Sequence, residues 1–481
     1  MMNRIIALAF VCSLLVFNEA CKKDFLNVPD KTSIFRQAYV VDLKTTEDYL
    51  NGIYLNLSAN FFTGAAGIFP EIISDNIKPI TGGPFLNPQY NWTQIANDER
   101  SASLLESGLN ANGLWFSGYR IIRDCSFIIE TIDKYRAENE TKADELKGQA
   151  YAIRALVHHV LVNVFAQPYL YTADASHIGI PYVKSSDWRK PLFRQDVNEV
   201  YSNIIVDLST ALKLLSGNII RKTVINENAV KALLARVYLF KGDFLNASKI
   251  SVEVSKLVPA MAKLDYPQKL FTTEDNESLF VLPPADGTAG YYTLHPGSYF
   301  RSYKLYNATI DIADILLEDA NDARRKWVVM DSSNPSIINF NITKFPVAVT
   351  GTVAFGDADY YYSIIRSSEM YLTAAESYAQ LKMDDSAVFY LDVIRNRAGL
   401  ESLDESIHGA ALLDSIYKER RKELAFEGLR MGDLLRCKKG VRRIKDVNSG
   451  AVYLPYPSSK AISPIPTSDV QLLGLQQNED Y

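Results

Sequence analysis

Residues 232–259 read ALLARVYLFKGDFLNASKISVEVSKLVP. Ala235, Arg236, Val237 and Tyr238 belong to one helix, Gly242, Asp243 and Phe244 turn the chain, and Ala247 sits in a second helix that Pro259 closes. Small side chains at Ala235 and Ala247 let two antiparallel helices approach closely, and Tyr238 fills the groove beside them. This is the tetratricopeptide helix-turn-helix pattern, with a period of about 34 residues. Ala375-Glu376-Ser377-Tyr378 followed by Ala387 repeats the spacing between Ala, Tyr and Ala. The two units are not consecutive, so the chain is not a plain solenoid. The fold class is mainly α: tetratricopeptide-like helix-turn-helix repeats with long irregular loops and a few short strands.

Helical periodicity spreads outward from this pair. It is present over 114–132, 146–165, 196–215 and 226–258, and again over 412–435, where one long helix is predicted. Thr45-Thr46-Glu47-Asp48 resembles a capping box opening a helix through Leu50, Ile53, Tyr54 and Leu57. From Ala59 to Ser107 the pattern loosens around Gly64, Gly67, Pro70, Pro79, Gly82, Gly83, Pro84 and Pro88, with Phe61, Phe62, Phe85, Tyr90 and Trp92 among them. A loop of that length in a folded domain is functional or disordered. A second insertion runs from Pro259 to Ile364, with strands predicted over 276–282 and 337–349. It carries Tyr291, Tyr292, His295, Tyr299, Phe300, Arg301, Tyr303 and Tyr306 mixed with Gly and Pro, too many aromatics for all to face a core. Tyr360, Tyr361 and Tyr362 read as a buried strand leading into a helix from Ser368.

The N-terminus reads as an export signal. Asn3 and Arg4 precede an apolar run, Ile5 to Phe17, and Ala20 precedes Cys21. The run is too short to span a bilayer as a helix. A Cys directly after such a cleavage site points to a bacterial lipoprotein acylated at Cys21; the other reading is a plain cleaved signal. Residues 21–44, with Pro29 and a polar mix, read as a tether. No later apolar run is long enough to cross a membrane. The net charge of −5 over 481 residues gives no reason to expect nucleic-acid binding. Cys125 and Cys437 read either as a disulfide or as two buried thiols. With 28 Tyr, 22 Phe and only 5 His, the chain looks built for surfaces and stacking more than for proton chemistry.

Motifs for catalysis are scarce. His158 and His159 are adjacent on a helix and project from different faces, which suits packing rather than paired metal ligation. Glu423 and Glu427 are four apart, as a glycosidase carboxylate pair could be. Basic residues at helical contact spacing, however, predict ion pairs from Arg420 to Glu423, Glu427 to Arg430 and Arg430 to Asp433. No nucleophile motif, phosphate loop, cofactor motif or metal cluster is present in the sequence.

In this order along the chain, Cys21-Lys-Lys-Asp-Phe-Leu26, Arg154-Ala-Leu-Val-His158, Phe165-Ala-Gln-Pro-Tyr169, the unit around Tyr238, Arg366 to Glu376, Arg395-Asn-Arg-Ala-Gly399, Glu419 to Arg436, Ile462-Ser-Pro-Ile-Pro466 and Gln477-Asn478 resemble the SusD/RagB-like nutrient-binding outer-membrane lipoproteins. The resemblance implies a signal peptide over 1–20, a lipidated tether over 21–44 and one SusD-like helical domain over 45–481, with ligand-binding loops at about 59–107 and 259–364. It implies a non-catalytic protein, without cofactor, held at the outer membrane by its lipid. Such a protein captures an oligosaccharide or polysaccharide, or in some members a peptide, and hands it to a TonB-dependent SusC-like transporter. Sugar rings present apolar C–H faces to aromatics and hydroxyl edges to hydrogen-bonding groups. The candidate ligand contacts are therefore Phe85, Tyr90 and Trp92 from the first loop and Tyr291, Tyr292, Tyr299 and Arg301 from the second. A protein-docking scaffold and a glycoside hydrolase are the other classes the residues leave open.

Overall fold

The computed structural model describes residues 36–80, 87–98, 111–215, 217, 221–282, 298–302, 304–333, 338–346, 361–446 and 450–481. Its first long helix, α1 (Leu43–Asn56), is capped by Asp42, whose carboxylate accepts from the Thr45 amide at 2.7 Å while Thr45 Oγ1 accepts from the Asp42 amide at 3.1 Å. The capping box therefore lies three residues before the predicted one. The expected loop from Ala59 is also helical at first. The chain continues through a π-helical stretch, Leu57–Ala66, into α2 (Gly67–Ile72). Phe61, Phe62, Ile68, Phe69 and Ile72 are all buried, and that apolar area overrides the poor helix propensity of Gly67 and Pro70.

After β1 (Ile77–Pro79) come α3 (Ala111–Thr131) and α4 (Glu140–Phe165), which pack together, and α5 (Val197–Leu215), which covers α4. The predicted repeat follows as α6 (Glu227–Lys241) and α7 (Phe244–Leu257). Gly242 turns between them at φ +78°, a left-handed conformation suited to glycine. Asp243 then caps α7 through the Asn246 amide at 3.2 Å.

The second insertion holds β2 (Ser278–Leu282), β3 (Tyr306–Ala308), α8 (Ile310–Leu317), β4 (Val328–Met330), β5 (Phe340–Ile342) and β6 (Tyr362–Arg366). β1, β3, β5 and β4 form an antiparallel sheet in that order, with Ile77 opposite Ala308, Asn307 opposite Asn341 and Val328 opposite Ile342. β2 pairs antiparallel with β6, Leu282 opposite Tyr362. Buried Tyr362 matches its reading as part of a strand; Tyr361 is half-buried and precedes the strand, and Tyr360 lies outside the described residues.

The second repeat unit is α9 (Ser367–Gln380) and α10 (Asp384–Ala398). α9 packs directly on α7, so two units far apart in sequence are neighbours in space. Ala235, Ala247, Ala375 and Ala387 are all fully buried, as close helix contact requires. Arg236 of α6 and Glu369 of α9 seal the junction with a buried ion pair at 2.6 Å.

The single helix predicted over 412–435 is broken into α11 (Gly409–Glu423) and α12 (Arg430–Arg436). Phe426 and Gly428 between them have φ of +68° and +80°. Burial explains the break: Phe426 turns inward to Phe300 (ring centroids 5.9 Å apart), and the Gly428 amide donates to Glu71 Oε1 at 2.9 Å. A Cβ at position 428 would stand 2.8 Å from the Gly67 carbonyl oxygen. Gly428→Ala is therefore expected to cost at least about 2 kcal/mol, read as a lower urea midpoint with an unchanged slope; an unchanged midpoint would refute this account.

β7 (Val441–Arg442), β8 (Tyr453–Leu454) and α13 (Thr467–Leu473) complete the chain. Asn478 ties the tail to α4 through the Phe165 carbonyl at 2.9 Å. Cys125 and Cys437 are both free thiols, which rules out the disulfide reading; Cys125 is buried as the other reading had it, while Cys437 is half-buried. Among the described residues, no helix is long and apolar enough to cross a membrane.

Candidate functional site

Glu423 and Glu427 sit at the break between α11 and α12, where a hydrolase reading would place its carboxylates. Both are buried. Arg366, at the end of β6, donates from Nη1 to Glu423 Oε1 (2.7 Å) and Glu277 Oε1 (2.6 Å), and from Nη2 and Nε to the two Glu427 oxygens (2.8 and 3.0 Å). Arg397 of α10 donates to Glu423 Oε1 at 2.7 Å and also pairs with Glu277. Arg324 Nη1 and the Tyr266 hydroxyl reach Glu423 Oε2 at 3.2 and 2.8 Å. Lys344 Nζ donates to Glu427 and to the carbonyls of Glu423 (2.8 Å) and Ala425 (2.9 Å), groups that the helix break leaves without helical partners.

Burial alone would raise the Glu423 carboxyl, but the guanidiniums of Arg397, Arg366 and Arg324 outweigh it and hold it well below the usual carboxylate range. A carboxyl held ionised and away from solvent cannot protonate a glycosidic oxygen. This is an ion lock. The predicted ion pairing is present with other partners: Arg420 takes Asp433, Arg430 takes Asp75, and Glu423 and Glu427 take cations from outside α11. The i,i+3 pairs lose because these side chains face the interior, where charges from other segments sit closer.

His158 accepts the Val183 amide on Nε2 at 3.1 Å, so its Nδ1–H donates to the Arg154 carbonyl at 2.8 Å. Its ring stacks on Tyr182, with centroids 3.8 Å apart. His159 packs between Tyr201 and Phe240, and burial pushes it down to about 3. Both are neutral packing residues. Among the described residues no cluster of His, Cys, Asp or Glu could hold a metal ion.

Three of the proposed ligand-stacking aromatics are core residues, and the expectation for them is corrected. Tyr90 and Trp92 are 1% and 6% exposed. Their rings pack on the Arg443 guanidinium, whose carbon lies 3.7 and 4.3 Å from the two ring centres. Arg443 in turn donates to the carbonyls of Ser74 (2.6 Å), Tyr90 (2.6 Å) and Ile72 (2.9 Å), and Trp92 Nε1 donates to the Ile73 carbonyl at 3.0 Å. These faces are occupied by a cation rather than offered to a sugar. Tyr299 is fully buried next to Phe300. Arg301 is half-buried and donates from Nη1 to the carbonyls of Phe345 (2.7 Å) and Thr343 (3.3 Å). Phe85, Tyr291 and Tyr292, like Cys21, lie outside the described residues.

The residues flanking three stretches of the insertions form one connected patch. The Ile80 amide donates to the Leu305 carbonyl at 3.2 Å, and the Tyr361 amide to the Phe271 carbonyl at 2.8 Å. The Phe345 ring meets Phe271 at 5.1 Å and stacks on Phe300 at 5.8 Å. With the Arg301 to Phe345 bond, these contacts join the residues that bracket 81–86, 283–297 and 347–360. Sequence reasoning missed a second surface: a polar groove of about 410 Å³ lined by Gln167, Tyr171, His177, Ser458, Asn478 and Asp480. Tyr171 there is 39% exposed, and the groove joins residues some 300 apart, a distance no local pattern bridges.

Comparison with known proteins places this architecture. Residues 71–239 match a family model described as starch-binding associating with outer membrane, and residues 313–481 match the model of the SusD family. The chain belongs to the SusD/RagB-like family. SusD-like protein P2 of Formosa agariphila is 25% identical over 458 residues, covering 82% of this chain and 85% of that protein. A SusD superfamily structure from Bacteroides thetaiotaomicron superposes with a TM-score of 0.82 at 24% identity, covering 91% of this chain and 100% of the other. A Bacteroides vulgatus chain described as a sugar-binding protein gives 0.78 at 26% identity, with 92% and 99% covered. The mainly helical fold with tetratricopeptide-like units expected from the repeat spacing, and the SusD-like fold that the resemblance implies, agree with the fold observed.

Proposed function

We propose that this SusD-like chain is a cell-surface lipoprotein, anchored through Cys21, that binds an oligosaccharide or polysaccharide and delivers it to a TonB-dependent SusC-like transporter without catalysis. The observation that carries the reading is the match of family models over both halves of the chain, one of them described as starch-binding at the outer membrane. The connected patch around Phe345 supports it, because its bracketed stretches contain Phe85, Tyr291 and Tyr292. Those three are the proposed stacking residues, with Arg301 at the edge as a hydrogen-bond donor.

The test is a binding screen of the full chain against polysaccharides, oligosaccharides and peptides, with Tyr291→Ala, Tyr292→Ala and Tyr171→Ala alongside. A glycan is expected to bind, and Tyr291→Ala or Tyr292→Ala to cost at least about 1 kcal/mol of affinity with the melting temperature unchanged. Loss confined to Tyr171→Ala moves the site to the polar groove. Peptide binding alone, or no binding by folded protein, overturns the glycan reading.

A further inference from the structure

The segment joining α4 to α5 holds Trp188 and Phe193, 71% and 63% exposed. Single exposed apolar side chains are ordinary; two aromatics this open, so close in sequence and on a segment held at both ends, are not. At one end Glu130 accepts from the Ser185 hydroxyl at 2.9 Å and from the Ser186 amide and hydroxyl at 3.2 and 2.5 Å. At the other, Arg194 donates from Nε to the Gly179 carbonyl at 2.6 Å and from Nη1 to the Gln476 carbonyl at 2.8 Å. Leu192, between the two rings in sequence, packs on the core. The loop is thus pinned with its leucine inward and its aromatic rings outward.

Cations flank the rings. Lys184, Arg189 and Lys190 are all exposed. Against them stand Asp187, which pairs with Arg189 at 2.9 Å, and Glu130, whose oxygens already accept from Ser185 and Ser186. An indole with an apolar body and a polar N–H, a phenyl ring and neighbouring Lys and Arg together suit the headgroup region of a lipid layer. The position of the loop favours lipid over other partners. Arg36, the first described residue after Cys21, donates from Nη2 to the Ser186 carbonyl at 2.7 Å, and its guanidinium lies over the Phe127 ring at 4.9 Å. The chain leading to Cys21 is therefore fastened two residues from Trp188. Between Cys21 and Arg36 it spans at most about 50 Å when fully extended, and it carries Lys22, Lys23 and Lys31 against Asp24 and Asp30. A lipid on Cys21 keeps this loop close to the membrane surface.

We infer that the loop of Trp188 and Phe193 rests in the headgroup layer of the membrane that holds Cys21, its rings among the lipids and Lys184, Arg189 and Lys190 against lipid phosphates. The inference rests on the lipid-anchored reading of Cys21 and fixes which face of the protein is turned to the membrane. The protein carries its own probe: Trp92, Trp115 and Trp327 are buried, so Trp188 is the one exposed indole of four. Acylation of Cys21 is read first, from the mass of the N-terminal peptide. The full acylated chain is then placed on vesicles of phosphatidylethanolamine and phosphatidylglycerol, with ordinary or brominated acyl chains. Tryptophan emission is expected to fall on the brominated vesicles, and acrylamide to lose access to the exposed indole. Trp188→Phe should keep its melting temperature and lose that response entirely, and Lys190→Glu should reduce it, most at low salt. An unacylated Cys21 contradicts the anchored reading and this inference with it. An acylated chain whose Trp188 stays unquenched and open to acrylamide overturns this inference alone. Protection of Trp188 that appears only with a glycan or with the transporter also overturns it, and assigns the loop to that partner.

Discussion

Glu423→Gln is expected to destabilise the protein by about 3–5 kcal/mol, the cost of leaving buried charges without their counter-charge. Among the described residues, Glu423 is the one carboxylate that Arg324, Arg366 and Arg397 all share. An amide keeps the shape and loses the charge, so three guanidiniums must stay ionised in the interior with less to balance them. Urea unfolding at neutral pH measures the loss; a change under about 1 kcal/mol would show that the lock is not a source of stability. The pH dependence has a definite sign. Glu423, Glu277 and Glu427 are held below their ordinary values by Arg366 and its neighbours despite burial, and Asp75 is held at about 2 by Arg421 and Arg430. A carboxylate with a depressed folded pKa contributes fully above its unfolded value, and the contribution is lost as pH falls through the folded value. Stability should therefore decline from about pH 4.5 downward, and Glu423→Gln should flatten that decline.

Trp92→Ala is the second large effect. Its ring is buried against Arg443 and its indole N–H is bonded to the Ile73 carbonyl, so truncation leaves a cavity, an orphaned carbonyl and a half-uncovered guanidinium. A loss of about 3–5 kcal/mol is expected, seen as a lower melting temperature and denaturation midpoint. A Trp92→Ala protein as stable as the parent would contradict its placement in the core. The same substitution, made to delete a ligand contact, would thus mainly delete packing.

These two residues mark where sequence reasoning succeeds and where it stops. The repeat units are legible because Ala235, Tyr238 and Ala247 encode helix contact by local spacing, and Ala375, Tyr378 and Ala387 repeat it. The strand at Ser278–Leu282 is legible as a short apolar run. Ion pairing around Glu423 is legible in kind, since so many charges on an apolar-faced helix must be paired. Its partners are not, because Arg366 and Arg324 lie 57 and 99 residues away and local rules see only a helix's own charges. Trp92 fails for the same reason: composition placed it in a loop, but Arg443, more than 300 residues downstream, decides which way it faces.

The ion lock also sets an order of assembly. Glu277 cannot be neutralised until Arg366 and Arg397 exist, and those guanidiniums cannot be buried until Glu423 joins them. A chain made from its N-terminus can form α3 to α7 early, but the junction between the repeat units closes only when its last quarter has arrived. A chain ending before Glu423 therefore leaves Arg366 and Arg397 without the carboxylate they share, and ribosome-bound or proteolysed fragments should remain open to protease at β6 and α9.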